Sequence, residues 1–240
     1  MSQNKKHQAK RHEVALFLLG SFAEDISMFR MRNPLQFDFH AIVTKLVLHS
    51  DDKLGPLKSL LKGRALWCAN NLTEILPRDF DDIQSAVLTL AADTLINEKK
   101  LTSLKFVATR SLIKYSRKVK PEVLQALVGE RFENIVDELA NLLDSASLDT
   151  VHLPIEAFTA YSKMNEDIVA QMAPKITPKL LKFFRTYHSE TSLAQELLNL
   201  FKLWCTYDAC RDIFVNTFIP FIMEIIEMYY KATPNSENRD

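Results

Sequence analysis

The sequence predicts an all-α fold, a stack of about five antiparallel helical hairpins, and three observations carry that prediction. The first is a repeat. Within 63–76 (GRALWCANNLTEIL), apolar Leu66, Ala69, Leu72 and Ile75 fall at helical spacing, and the pattern returns four more times along the chain. Aligned copies give a column of Leu19, Ala69, Leu112, Phe158 and Phe201, a second of Phe22, Leu72, Tyr115, Tyr161 and Trp204, and a third of Ala15, Ala65, Ala108, Pro154 and Leu197. Successive copies lie 50, 43, 46 and 43 residues apart, close to the period of two-helix repeats of the HEAT and armadillo kind. The second observation is composition: 240 residues at 47% hydrophobic content can bury a large core, while 4 glycines are too few for the turns of a β-rich chain. The third is that Pro178 and Pro220, each ahead of an apolar run, stand 42 residues apart, so the second helices repeat in step with the first. A plain four-helix bundle needs no such period. The predicted architecture is therefore an α-solenoid of about five HEAT-type hairpins over 12–230, in which neighbours stack because one hairpin cannot bury its apolar face alone.

Taken in order, 1–11 are polar and basic and the chain closes on ATPNSENRD, so 1–11 and 231–240 are expected to be disordered ends. The first hairpin is a helix over 12–28, a loop around Asn33 and Pro34, and a partner over 39–49. A loop over 51–56 precedes the helix that carries Trp67 and stops before Pro77, with 81–95 as its partner. The third hairpin begins near Leu101, turns at Lys120 and Pro121 and returns through 123–143, with a kink or short break expected at Gly129. The fourth takes 151–164 and 167–187, where Pro174 and Pro178 each remove a helical hydrogen bond and are expected to split the second helix near its start. The fifth takes 193–207 and 213–230. Trp67 and Trp204, both on first helices, are expected to be largely buried.

Function classes narrow by what chemistry requires. Lys plus Arg and Asp plus Glu are equal at 30 each, so the overall charge argues for neither nucleic acid nor an anionic membrane. The N-terminus lacks the apolar core of a secretory signal, and no apolar run reaches the roughly 20 residues of a membrane span. An intracellular, soluble chain is expected. Cys68, Cys205 and Cys210 cannot all pair, and Cys68 and Cys205, beside Trp67 and Trp204, read as reduced, buried packing residues. No two of the six histidines are four apart as on one helix face, and GxxxxGK[ST], GxGxxG and GxSxG are all missing. No catalytic, cofactor-binding or metal residue is predicted, and an enzyme is not expected.

Charge is informative only locally. Lys114, Arg117, Lys118 and Lys120 close one helix, where cations complement the helix dipole, or they bind an acidic group. Lys175, Lys179, Lys182 and Arg185 line one face of another helix. Asp79, Asp81 and Asp82 on one second helix and Glu133, Asp137 and Glu138 on the next form acidic patches that a basic partner could meet, and they are the candidate cargo contacts, with the basic strip marking where that surface stops. The alternative for each group is an ordinary solvated face.

The stretch FDFHAIVTKLVLHSDD followed after a short loop by LLKGRALWCANNLTEIL resembles the importin-β (karyopherin-β) superfamily. Upstream, HEVALFLLGSFAE is similar to its glutamate-alanine and LGS pattern, and LAQELLNLFKLWCTYDACRDIFVNTFIPFIMEII resembles a later repeat, so the likeness runs from about Arg11 to Tyr230. It implies a segment of a nuclear transport receptor that shuttles between cytoplasm and nucleus and binds basic protein cargo, histones among them. The resemblance also implies Ran-GTP binding by a full-length parent through N-terminal repeats that this chain lacks, so the segment itself is expected not to bind it and to be either a fragment or a reduced relative. A HEAT scaffold subunit of another complex is the alternative. GRALW reads as core packing.

Overall fold

A computed structural model of the chain describes residues 3–32, 39–47, 57–76 and 81–232. Among these every regular element is helical, as predicted. The helices group into two compact units, 1–160 and 161–240, where the sequence predicts one array over 12–230.

The first unit contains α1 (Gln3–Ser21), α2 (Ala23–Arg32), α3 (Phe39–Leu46), α4 (Leu57–Leu72), α5 (Asp81–Asn97), α6 (Thr102–Ser116), α7 (Pro121–Val128), α8 (Phe132–Ser145) and most of α9 (His152–Ser162). Helix α4 packs between α1 and α6, while α5 packs against α3, α7 and α8 as well as α6. First helices therefore stack on first helices and second on second, which is how a repeat array shares its core. In the aligned columns Ala65, Ala69, Leu72, Ala108, Leu112, Tyr115, Pro154 and Phe158 are buried.

The first copy departs from the prediction. Ala15 and Leu19 are only half-buried and Phe22 is exposed, because among the described helices α1 is covered by α4 on one side only. Helix α1 also starts at Gln3 rather than near His12. Ala9, buried to 4% exposure, packs with Leu61 and Leu57 of α4 and holds the polar first turns in the array. The predicted helix over 12–28 is two helices, but Phe22 N to Leu18 O (3.0 Å) and Ile26 N to Phe22 O (2.9 Å) carry the hydrogen-bond ladder across the junction, so it is a bend and not a loop. The break expected at Gly129 is a 3₁₀ turn, Gly129–Arg131, and Pro121 starts α7, where a missing N–H costs nothing. The loops placed over 51–56 and around Asn33 and Pro34 lie outside the described residues, as do 233–240.

Trp67 overturns one expectation and explains one glycine. Its ring is half-buried, stacked on Phe17 at 5.9 Å and 14°, with the Arg64 guanidinium 5.1 Å from both ring centroids. The ring fills the junction of α1 with α4 instead of the interior, and a Cβ on Gly20 would stand 2.5 Å from its Cζ3. Only glycine allows α1 to approach there.

The second unit holds α10 (Glu166–Tyr187), α11 (Thr191–Trp204), the 3₁₀ turn Asp208–Cys210, α12 (Arg211–Ile213) and α13 (Ile219–Ala232), the last two joined by a π turn, Phe214–Phe218. Asn165 caps α10 by accepting from Ile168 N at 2.9 Å. Pro174 and Pro178 do not split this helix, contrary to expectation. Both prolines and Ala170 lie on its exposed side, so the carbonyls they leave without an N–H, those of Ala170 and Pro174, face toward water. Pro220 acts differently: the ladder widens just before it, and Ile219 N–H bonds to Phe214 O, five residues back. Phe201 meets Phe218 edge-on at 4.2 Å, Phe184 meets Phe221 at 6.1 Å, and Trp204 is fully buried, as predicted.

Candidate functional site

The frame for any surface is set by ties between first helices one repeat apart. The last carbonyls of a helix have no partner within it. At the end of α1, Gly20 O accepts from Asn71 Nδ2 of α4 at 3.3 Å. At the end of α4, Ala69 O accepts from the Tyr115 hydroxyl at 2.7 Å and Asn70 O from Lys114 Nζ at 2.9 Å, both on α6. At the end of α9, Ser162 O accepts from the Tyr207 hydroxyl at 2.7 Å, while Ser162 Oγ accepts from Trp204 Nε1 at 2.8 Å. Each donor lies 42 to 51 residues from its acceptor, about one repeat. Sequence reading found the aromatic column but not this role, because a period shows which residues are equivalent and not where their polar tips reach.

The candidate acidic residues divide by what they touch. Asp79 lies outside the described residues. Asp81 pairs with Lys120 at 3.5 Å, and Asp82 is 2.7 Å from His40 Nε2, a contact that lowers the Asp82 carboxyl below its ordinary range. Glu138 pairs with Lys105 and lies 4.0 Å from Lys99, with only 17% of its side chain exposed. These three are turned toward neighbouring helices of their own chain. Glu133 and Asp137 are exposed, four apart on α8, and exposed Asp144 follows seven residues on. The apolar stripe of the same helix, Ile135, Val136, Leu139, Leu142 and Leu143, is buried. The outward face of α8 is therefore acidic over three turns.

The cations ending α6 reach out of their own helix. Besides Lys114, Arg117 pairs with Glu156 at 2.7 Å, Lys118 with Glu74 at 3.1 Å and Lys120 with Asp81. They tie repeats together, each exposed pair worth about 0–1 kcal/mol. In the second unit Lys175, Lys182 and Arg185 are exposed and Lys179 is half-buried, and Arg185 pairs with Glu224 at 2.6 Å across the face of Phe221.

Groups with reactive potential are held in check. Burial pushes the Cys68 thiol up to about 12 and the Cys210 thiol to about 11, and raises Tyr115 and Tyr161 further. Such thiols stay protonated and unreactive at neutral pH. Cys205, expected to be buried, is exposed because α11 ends at Trp204. Among the described residues no three His, Cys, Asp or Glu side chains could hold a metal ion, and no helix is long and apolar enough to cross a membrane. An open cavity of about 780 Å³ near the ends of α1 and α4 is lined by Trp67, Asn70, Glu24, Glu74 and Lys114 among others. Compared with known proteins, the chain matches no family model and no curated protein.

Proposed function

We propose that this chain is a segment of a nuclear transport receptor of the importin-β superfamily, resembling the middle repeats of importin nine, and that it binds basic protein cargo such as histones through a helical-repeat surface. The observation that carries the cargo site is the exposed acidic face of α8, with Glu133 and Asp137 at its centre. Like charges along one face raise the local concentration of an oppositely charged partner and speed its capture more than they tighten the final complex. Asp81, Asp82 and Glu138 contribute less, since each already has a cation beside it. Support for the family assignment comes from the resembling segments, which fall on α1, on α3 with α4, and on α11 through α13, all elements of the stacked hairpins.

On this reading the chain performs no chemistry, needs no cofactor, and accompanies cargo between cytoplasm and nucleus, with Ran-GTP engaged by other repeats of a longer parent. The test is a titration of a histone dimer against wild type and the double reversal Glu133→Lys with Asp137→Lys. Weaker capture by the reversal supports the site, and equal capture removes it.

A further inference from the structure

Helix α13 and the π turn before it are apolar on two sides. One side, Phe218 and Phe221, is buried against Phe201 of α11 and Phe184 of α10. The other, Val215, Ile219, Ile222, Met223 and Ile226, runs at helical spacing and is between 42% and 54% exposed. A helix apolar on nearly all sides belongs inside a structure. The repeat shows what such a stripe is for. Forty-two residues earlier, at the spacing that relates Pro178 to Pro220, α10 carries Ala173, Thr177, Leu180 and Leu181, and all four are buried. The uncovered stripe on α13 is therefore the surface that, on α10, is packed away among helices.

A matching surface exists at the other end of the chain. On α1, Val14, Leu18 and Phe22 follow one another at four-residue steps and are between 48% and 53% exposed. Lys10 and Arg11 precede this stripe, exposed and in no ion pair among the described residues, and Glu227 follows the stripe of α13. Laid antiparallel, Val14 comes beside Ile226, Leu18 beside Ile222 and Met223, and Phe22 beside Ile219. The same alignment sets Lys10 and Arg11 near Glu227, so the charges agree with the apolar register. Residues 233–240, TPNSENRD, offer no side chain that would cover an aliphatic stripe.

We propose that the α13 stripe binds α1 of a second copy of this chain, a head-to-tail contact between two different surfaces. Such a contact leaves one free surface of each kind at the ends of a pair, so association continues with concentration unless the arrangement closes. The contact is independent of the cargo site, which lies on α8.

Sedimentation velocity over roughly a hundredfold dilution series reads the mass directly. Wild type is expected to grow in mass with concentration. Leu18→Glu and Ile222→Glu, both at half-exposed positions, are each expected to stay monomeric with unchanged far-UV spectra, and their equimolar mixture to form a 1:1 pair and nothing larger, because only one good surface of each kind remains. Leu18→Gln and Ile222→Gln serve as milder replacements if either charged variant loses helicity. A wild type that stays monomeric throughout overturns the proposal, as does self-association of the Leu18 variant, which would mean that α13 pairs with α13. A mixture that remains monomeric overturns it too, since the stripe would then take a different partner.

Discussion

The Tyr115 hydroxyl donates to the Ala69 carbonyl at 2.7 Å, joining the last turn of one first helix to that of the next. Both residues are buried, and the only other hydroxyl on that carbonyl among the described bonds is Thr73 Oγ1, at 3.2 Å. Tyr115→Phe keeps the ring and removes the donor, so it should cost about 1 kcal/mol in urea unfolding with little change in the slope. No loss of stability would mean that the tie between repeats carries no energy.

The two tryptophans should respond unequally. Trp204 is fully buried and donates to Ser162, so Trp204→Ala should cost roughly 3 to 5 kcal/mol. Trp67 keeps part of its ring in water, and Trp67→Ala should cost roughly 1 to 2 kcal/mol. Equal losses would contradict the different burial of the two rings.

Gly20→Ala places a methyl group 2.5 Å from the Trp67 ring, which Phe17 and Arg64 hold from the other side. The substitution should destabilise by about 1–3 kcal/mol. Adding Trp67→Leu should make the Gly20 change nearly neutral, a coupling that a double-mutant cycle measures. Purely additive losses would place the strain elsewhere.

Acid should loosen the α5–α6 turn. Glu98 accepts from the backbone N–H of Lys100 at 2.9 Å and of Leu101 at 3.3 Å, and from Ser59 Oγ at 3.2 Å, and the Lys100 bond leads in holding its carboxyl below the ordinary 4.5. A lowered carboxyl stabilises the fold above its ordinary value and loses that contribution as the pH falls through the lowered one. Asp82, lowered from 3.8 by His40, acts in the same direction but is largely exposed. Urea midpoints should therefore fall below about pH 4.5, and Glu98→Gln should flatten that fall. An identical acid profile in the variant would rule Glu98 out as its source.

Much of the architecture was legible because a stacked repeat writes its core into sequence at a fixed period. Ala69, Leu112 and Phe158 are buried where the columns place them. The period fails where its physical cause does. Leu19 and Phe22 carry the pattern but lack a neighbour on the outward side, and the basic start of α1 has almost no apolar signal, yet Ala9 anchors it. Pro174 and Pro178 looked like breaks because sequence does not show that both would face solvent together. The acidic site was legible only as charge. Which carboxylates already have a cation beside them depends on residues 33 to 42 positions away, Lys105 for Glu138 and His40 for Asp82, and no local pattern reveals such partners.

The central claim, that the exposed acids of α8 capture a basic protein, is tested most directly by the affinity of a labelled histone dimer for wild type and for the Glu133→Lys, Asp137→Lys variant at two salt concentrations. At about 50 mM salt, where screening is weaker than at physiological strength, the reversal should bind roughly tenfold or more weakly, with the gap narrowing at about 150 mM and the far-UV spectra superimposable. Equal affinities at the lower salt would contradict the account and leave α8 as an ordinary solvated face.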